Sequence, residues 1–233
     1  MGERLDKYLA SQGLGTRKEV GKLIRAGAVT VDGKPQRDPG AKVDPSSEVA
    51  VEGRPVHYQE HLYIMMNKPA GVLSATEDRR QRTVLDLLPE DLRRRGLFPA
   101  GRLDKDTTGL LLITDDGDLA HRMLSPKKHV YKQYRAQLDA PVTAEDEEAF
   151  REGVCWEEET YAPARLWTEE DPTVAFVEVR EGRFHQVKRM FEARGKTVLA
   201  LKRLKIGGLA LDTTLQEGEC RLLTAEETGW IFH

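Results

Sequence analysis

Cysteine is scarce in this chain of 233 residues, and the two that occur, Cys155 and Cys220, show no C-x-x-C spacing. Such a pair supports neither a disulfide framework nor a metal site, and it suits a reducing cytosol. Long apolar runs are also missing. The longest near the middle of the chain, residues 110–113, is far too short to span a bilayer, and the charged N-terminus lacks the apolar core of a signal peptide. We therefore expect a cytoplasmic protein that does not contact a membrane.

Several common catalytic signatures are absent as well. The six histidines show no paired-ligand spacing, and no serine or cysteine lies in a nucleophile-elbow or Cys-His context. The sequence contains neither a P-loop nor a dinucleotide-binding fingerprint. An aspartate is therefore the best nucleophile that the chain offers, and we expect neither a metal nor a cofactor.

The net charge of −3 by itself argues against binding to nucleic acid. The charge is unevenly distributed, however, because residues 1–42 hold nine lysines and arginines against five acids. A basic N-terminal segment on an acidic body is expected where contact with a polyanion is local. Charge alone still favours the simpler interpretation of a solvated helix surface.

The N-terminal segment reads as a helical hairpin followed by short strands. Apolar residues at positions 5, 8 and 9 lie on one face of a helix, and Thr16 with Glu19 forms a capping box that starts a second helix ending near Gly27. Residues 29–31 alternate as a strand, and Asp32-Gly33 predicts a tight hairpin turn. This pattern indicates a small α/β-hairpin domain over residues 1–56.

The remainder alternates strands and helices irregularly, which predicts a mixed-sheet or antiparallel α+β domain rather than a regular β-α-β repeat. We place a linker at residues 57–61 and this second domain at 62–233. The strands are predicted at 62–66, 109–114, 134–138, 174–179 and 198–201, and the helices at 83–88, 118–124, 144–153 and 184–194.

Residues 101–117 crowd acids, hydroxyls and glycines into a loop that leads directly into an apolar strand. A polar loop anchored by a rigid strand is a common way to hold a reactive carboxylate, and Asp104 is the candidate. The same loop roughly fits a calcium-binding loop. That interpretation is weak, because position 12 is Asp115 rather than glutamate and because 110–114 looks like a strand instead of a helix.

Two further segments are candidates for chemistry. Tyr134, in Lys-Gln-Tyr after the basic run Lys127-Lys128-His129, has a ring that can stack on a base and a phenol for proton transfer. Taken alone, it is better read as a core tyrosine. In the helix predicted at 184–194, residues 184, 187 and 191 would form the buried side. Lys188 would then lie close to that side, where it could keep a buried carboxylate ionised. One more charged amphipathic helix would look the same.

The motifs Gly-Arg-Leu-Asp-x-x-Thr-x-Gly-Leu at 101–110, Lys-x-Tyr at 132–134 and Gly-Arg-x-His-Gln-Val-Lys-Arg-Met at 182–190 closely resemble those of pseudouridine synthases of the RsuA type. Asn-Lys-Pro-x-Gly at 67–71 and Arg-Leu-x-Ile-Gly-Gly at 203–208 resemble the flanking motifs of that family. The N-terminal domain is similar to the small RNA-binding domain named after a ribosomal small-subunit protein. The resemblance covers nearly the whole chain in order.

This resemblance implies specific roles. Asp104 would be the nucleophile, Tyr134 would stack on the flipped base and assist proton movement, and Lys188 would pair with Asp104 where related families use arginine. Arg102 would fill the space left in the RNA by the extruded nucleotide. Further RNA contacts are expected from residues of the basic N-terminal domain and of the later motifs: Arg4, Lys7, Arg17, Lys18, Lys22, Arg25, Arg183, His185, Gln186 and Arg203.

The resemblance also implies a substrate. Asp-Lys-Asp-Thr-Thr-Gly at 104–109 and Thr-Asp-Asp-Gly at 114–117 look more like the enzymes that act on 16S rRNA than their large-subunit relatives. A uridine of 23S rRNA is the alternative target, and a non-catalytic RNA-binding or ribosome-assembly protein is the alternative class. We expect a monomer that acts on 16S rRNA, either free or in a partly assembled small subunit.

Overall fold

The computed structural model describes residues 2–56, 58–94, 96–125 and 130–233. The basic run Lys127-Lys128-His129 and the first linker residue, His57, lie outside these residues. The chain forms two compact units. Unit 1 comprises Met1–Leu62 together with Leu88–Leu97, and unit 2 comprises Tyr63–Leu87 and Phe98–His233.

Unit 1 opens with the predicted helical hairpin. Its helices are α1 (Leu5–Ser11) and α2 (Arg17–Arg25). The capping box is confirmed: the Glu19 backbone N–H donates to the Thr16 hydroxyl, and the Glu19 carboxylate accepts from the Thr16 backbone N–H at 2.7 Å. The apolar faces of both helices are buried, which leaves the basic side chains of α2 on the surface. The helix-face prediction is therefore confirmed.

The strands of unit 1 are short because turns interrupt them. They are β1 (Glu3–Arg4), β2 (Val29–Val31), β3 (Lys34–Gln36), β4 (Lys42–Val43), β5 (Val49–Val51) and β6 (Arg54–Val56). Strands β3-β2-β5-β6 form an antiparallel sheet, and β1 pairs with β4. Asp32 and Gly33 both have positive φ, as a two-residue hairpin turn with the right-handed strand twist requires.

Unit 2 is built on a sheet of nine strands within the described residues, with the path β13-β14-β10-β15-β9-β7-β17 and with β16 and β8 at the sides. Its strands are β7 (Tyr63–Lys68), β8 (Phe98–Pro99), β9 (Thr108–Thr114), β10 (Lys132–Leu138), β11 (Cys155–Trp156), β12 (Glu159–Thr160), β13 (Arg165–Thr168), β14 (Val174–Val179), β15 (Val198–Ile206), β16 (Leu209–Ala210) and β17 (Cys220–Leu222). Strands β11 and β12 form a separate hairpin.

The helices of unit 2 are α3 (Gly117–Leu124), α4 (Ala144–Glu152), α5 (Gln186–Glu192) and α6 (Ala225–Trp230), with a 3₁₀ turn at Val84–Leu87. A second 3₁₀ turn, at Glu90–Leu92, falls in unit 1. The α+β, mixed-sheet prediction is confirmed, because β15 and β9 run parallel while the other strand pairs of the sheet are antiparallel. Within the described residues, no helix is long and apolar enough to cross a membrane.

The parallel junction between β9 and β15 depends on Gly109. Its φ is +98°, and a Cβ built there would lie 2.2 Å from the carbonyl oxygen of Arg203. Only glycine permits this approach of two backbones. The junction fixes the end of β9 from which the loop carrying Asp104 emerges.

The helix predicted at 184–194 is shorter than expected and differs at its start. It begins at Gln186, and His185 precedes it in the left-handed conformation with φ 52°. Phe184 therefore lies outside the helix and is 64% exposed, so its assignment to the buried side was wrong. Val187 and Phe191 are buried as predicted.

Candidate active site

The loop that carries Asp104 lies between β8 and β9 and is held in place by hydrogen bonds to its backbone. The Leu103 backbone N–H donates to the Ser74 hydroxyl at 3.1 Å, and that hydroxyl donates to the Leu103 carbonyl at 2.9 Å. The Thr107 N–H donates to the Asp104 carbonyl at 3.2 Å. These bonds restrict the backbone on both sides of Asp104, so its carboxylate has a defined position.

Lys68, at the end of β7, anchors the Asp104 loop by donating hydrogen bonds to backbone carbonyls of that loop. Its side chain is fully buried, and its Nζ donates to the carbonyl oxygens of Pro69, Lys105 and Thr107 at 2.9–3.2 Å. Burial lowers the pKa of Lys68 to about 8, although the nearby carboxylates of Asp106 and Asp104 act in the opposite direction. Sequence reasoning did not assign Lys68 a role, and its one signal was the Asn-Lys-Pro flanking motif.

Lys188 lies between two carboxylates. Its Nζ is 3.1 Å from Asp104 Oδ2 and 2.6 Å from Asp106 Oδ1. Burial alone would lower the pKa of Lys188, but the hydrogen bonds to Asp106 and Asp104 raise it overall. The hydrogen bond from Lys188 in turn lowers the pKa of the Asp106 carboxyl. Lys188 is therefore a cation that is shared by the two acids, and helix α5 directs it toward the loop, as the family resemblance implied.

His185 approaches Asp104 at its other carboxylate oxygen, with Nε2 3.4 Å from Asp104 Oδ1. The left-handed backbone at His185 turns the chain abruptly into α5, and histidine tolerates that conformation better than β-branched residues do. Asp104 thus has nitrogen atoms from two residues of one motif on its two oxygens. Its side chain keeps 25% exposure, which leaves access for a substrate.

Tyr134 lines the pocket in front of Asp104. The pocket has a volume of about 60 Å³, and its walls include Arg102, Val179 and Leu201 besides these two residues. The pairing of β10 with β15 shifts register between Gln133 and Tyr134. Such irregularities re-aim side chains beside active sites. An acid and a tyrosine ring therefore line one pocket, and the acid is paired with Lys188. This arrangement can bind a flat polar ring and attack it or its sugar.

Two arginines expected to contact RNA lie at the rim of this pocket. Arg102 and Arg183 are both exposed and line it. Arg183 also pairs with Glu159 at 3.1 Å, donates to the Thr160 carbonyl at 2.9 Å and lies over the Tyr161 ring. Both guanidinium groups are accessible to a phosphate.

Two other expected RNA contacts are largely buried. Arg203 is 4% exposed and its Nε donates to the Leu110 carbonyl at 2.7 Å, so it braces the parallel junction. Gln186 is 5% exposed and bridges Glu181 and the backbone of Arg183, which shapes the turn before α5. Gln186 also lines the pocket in front of Asp104. RNA contact by either residue stays a prediction, since a linear motif does not reveal which face of an element is covered.

The weak calcium interpretation is also inconsistent with the fold. Asp104 and Asp106 precede β9, and Asp115 follows it. An extended strand rises by about 3.3 Å per residue, so the length of β9 separates these acids by roughly 20 Å. A calcium loop must instead wrap its ligands around one ion. Among the described residues, no group of three or more ligand side chains is placed to hold a metal.

Lys132, which shares a strand face with Tyr134, leads to a prediction on stability. It is 5% exposed, and burial, followed by the charge of Arg203, lowers its pKa to about 8; no carboxylate of the described residues pairs with it. We expect Lys132→Met to unfold at a higher temperature than the wild type at pH 7, because a buried charge without a partner is replaced by an apolar chain.

The difference in stability between Lys132→Met and the wild type should decrease between pH 8 and about pH 10. In that interval native Lys132 has lost its proton while the unfolded chain retains it, so wild-type stability rises with pH. Urea titrations at several pH values measure the difference in free energy of unfolding, and Lys205→Met, at an exposed position of β15, is the matched control. A difference that stayed constant with pH would contradict the prediction.

In unit 1, the predicted basic side chains are exposed as a group: Arg4, Lys7, Arg17, Lys18, Lys22 and Arg25. Some are partly neutralised locally. Asp6 pairs with Arg4 at 3.0 Å and with Arg17 at 2.9 Å, and Glu3 pairs with Lys7 at 2.6 Å. The exposed face of α2 remains strongly basic, which suits contact with a phosphate backbone.

Comparison with known proteins identifies a family for each part of the chain. A family described as RNA pseudouridylate synthase matches residues 62–193, and the S4 domain family matches residues 3–49. The chain is 52% identical to an uncharacterized RNA pseudouridine synthase of Bacillus subtilis, covering 96% of each chain. It is 44% identical to the ribosomal small subunit pseudouridine synthase A of Vibrio cholerae, covering 98% of this chain and 99% of that protein. The same enzyme of Escherichia coli is 44% identical over 96% of this chain and 97% of its own. A crystal structure of a pseudouridylate synthase, 38% identical, superimposes with a TM-score of 0.68 over 98% of this chain and 99% of that one.

Proposed function

The chain belongs to the RNA pseudouridylate synthase family and is an rRNA pseudouridine synthase of the RsuA type with an S4 domain, and from this premise we propose that it isomerises a specific uridine of 16S rRNA with Asp104 as the nucleophile. The observation that carries the proposal is the placement of the Asp104 carboxylate 3.1 Å from Lys188 in a pocket that is also lined by Tyr134. An acid with this cation and this aromatic ring is equipped for the reaction.

In the proposed reaction Asp104 attacks the target nucleoside, at either the ribose or the uracil ring, and the bond between C1′ and N1 breaks. The uracil turns within the pocket and rejoins C1′ through C5, and the bond between Asp104 and the nucleoside breaks, which regenerates the carboxylate. The proton on C5 leaves and N1 gains one, so product and substrate have the same atoms and the same oxidation state. Lys188 offsets the negative charge of Asp104 and fixes its orientation, which favours attack from one direction.

The target base must leave its stack before Asp104 can reach it. Extrusion of a nucleotide costs a few kcal/mol, which stacking and pocket contacts must offset. We propose that Tyr134 stacks on the flipped uracil and assists proton movement, and that Arg102, exposed at the rim, fills the space left in the RNA. The basic side chains of α2 would hold the flanking RNA through its phosphates, so affinity should fall as salt increases.

The choice of 16S rRNA is supported by two relatives that are named ribosomal small subunit pseudouridine synthase A and by the motifs at 104–109 and 114–117. A cytoplasmic monomer that meets free 16S rRNA or a partly assembled small subunit is consistent with this substrate. A 23S uridine is the competing target. A purely structural RNA-binding role is disfavoured, because such a protein has no need of the intact set Asp104, Tyr134 and Lys188.

Mapping pseudouridine in both rRNAs tests target and activity together. In cells that lack this gene, we expect one 16S position to remain uridine while the 23S pattern stays unchanged. Expression of the wild-type chain should restore the modification. Loss of a 23S pseudouridine would transfer the proposal to the large subunit, and unchanged patterns in both RNAs would refute it.

A further inference from the structure

Unit 1 contains a cavity of about 670 Å³ beside the turn between α1 and α2. Four of its lining side chains are basic, Glu19 is the acidic one, and the described lining contains no aromatic or large aliphatic side chain. The lining residues are Lys7, Ala10, Ser11, Gly13, Gly15, Thr16, Arg17, Glu19, Arg93 and Arg94. A cavity with this lining favours a polyanion over an apolar ligand.

Arg93 and Arg94 come from a different part of the sequence than the rest of the lining. The S4 match covers residues 3–49, whereas Leu88–Leu97 lies inside the range matched by the synthase family. In the folded chain this segment nevertheless belongs to unit 1. The cavity therefore has two walls. The S4 domain supplies one, and Leu88–Leu97, which we call the inserted segment, supplies the other.

Arg94 anchors the inserted segment to the rest of unit 1. Its Nη1 donates to the carbonyl oxygens of Ser11 and Gln59 at 3.2 and 3.1 Å, and its Nη2 donates to that of Glu60 at 3.1 Å. The two segments are in van der Waals contact, because a Cβ on Gly13 would lie 3.5 Å from the Arg93 carbonyl oxygen. Three charge-assisted bonds to fixed carbonyls hold the segment in one place.

Arg93 is placed to face the ligand. It is exposed, and its Nε donates to the Leu88 carbonyl at 2.7 Å, which orients the guanidinium group on the cavity wall. Three acids offset part of this charge: Glu3 pairs with Lys7, Asp6 pairs with Arg17, and Glu19 accepts from the Thr16 N–H. The four basic side chains of the lining still outnumber these three acids, so the cavity has a net positive charge toward an incoming phosphate.

We propose that Leu88–Leu97 completes an RNA-binding groove with the S4 domain and that Arg93, together with Lys7 and Arg17, binds the phosphodiester backbone there. The proposal rests on the proposed function, since it takes the ligand to be rRNA. Arg94 acts as a positioning residue that holds the segment in place. Phosphate contacts of this kind fix the position of the RNA without reading its sequence.

The test compares Arg93→Gln with Arg54→Gln in the full-length protein. Arg54 is exposed on β6 of the same unit and does not line the cavity, so it controls for the loss of one positive charge. Binding of a 16S rRNA fragment is measured at several salt concentrations. We expect Arg93→Gln to weaken binding by about three- to tenfold and to reduce the salt slope by about 0.7–0.9, as for one lost phosphate contact. Arg54→Gln should bind and turn over as the wild type does.

Arg93→Lys distinguishes the loss of a positive charge from a folding defect. This variant keeps the cation, so its affinity for the RNA should be close to that of the wild type. If Arg93→Gln and Arg54→Gln have the same affinity for the RNA and the same salt slope, then Arg93 does not bind the RNA backbone and the proposal is overturned. That result is distinct from failure of the proposed function, which would appear as absence of pseudouridine in 16S rRNA treated with the wild-type protein.

Discussion

Asp104→Asn is expected to abolish pseudouridine formation, with a loss of at least roughly a thousandfold, because the nucleophilic oxygen and its charge are removed together. The amide has nearly the same size as the carboxylate, and the bonds of Ser74 to the Leu103 backbone do not involve the changed group. The pocket should therefore persist. RNA affinity should stay within about tenfold of the wild type, or roughly 1.4 kcal/mol.

Asp106→Asn is the matched control for this variant. Asp106 lies in the same loop, also contacts Lys188 and undergoes the same chemical change, but its side chain is 73% exposed. We expect it to reduce turnover by less than about tenfold. Single-turnover assays of pseudouridine formation, together with binding of a 16S fragment, measure both variants. Activity of Asp104→Asn near that of the wild type would remove Asp104 from the mechanism.

Lys188→Met is expected to lower kcat by roughly 30- to 150-fold while RNA affinity changes little. The variant removes a hydrogen-bonded cation from a half-buried carboxylate, and such bonds are worth about 2–3 kcal/mol. Lys188→Arg should recover most of the activity, because a guanidinium group can replace the ammonium as the partner of Asp104. Rescue by arginine would show that charge at this place, rather than the shape of α5, is what matters.

Lys105→Met serves as the control for Lys188. Lys105 is exposed next to Asp104 in sequence, and no ion pair of its side chain is present among the described residues. Its removal should change kcat by no more than about twofold. The readout is the split between kcat and KM, with melting temperature recorded to exclude unfolding. Equal losses for both lysine variants would argue against a specific role of Lys188.

Local features were predictable where neighbouring residues decide them. The Thr16–Glu19 capping box and the Asp32-Gly33 hairpin depend on bonds within a few residues, and both form as predicted. The pairing of Lys188 with Asp104 was implied by the motifs of the family that the chain resembles, and the structure places the two groups 3.1 Å apart. These successes share a cause, since each uses a period or a motif that the chain carries by itself.

Predictions that depended on which surface is covered were less successful. Phe184 had the spacing of a buried helical residue, but His185 takes up the left-handed turn and leaves Phe184 outside α5. Arg203 was expected from its motif to contact RNA, and the motif gave no sign that the pairing of β15 with β9 buries its side chain. A one-dimensional pattern cannot report a strand that approaches from 93 residues away along the chain.

Sequence motifs were enough to identify the family, the nucleophile candidate and the basic character of the S4 domain, because motifs, capping boxes and charge are properties of short segments. The folded structure was needed to show that Lys68 anchors the Asp104 loop through the carbonyls of Lys105 and Thr107, and that Leu88–Leu97 folds with the S4 domain and brings Arg93 to its cavity. Both findings have the same cause. Burial and backbone hydrogen bonds between distant segments exist only after the chain has folded, so they leave little trace in local sequence.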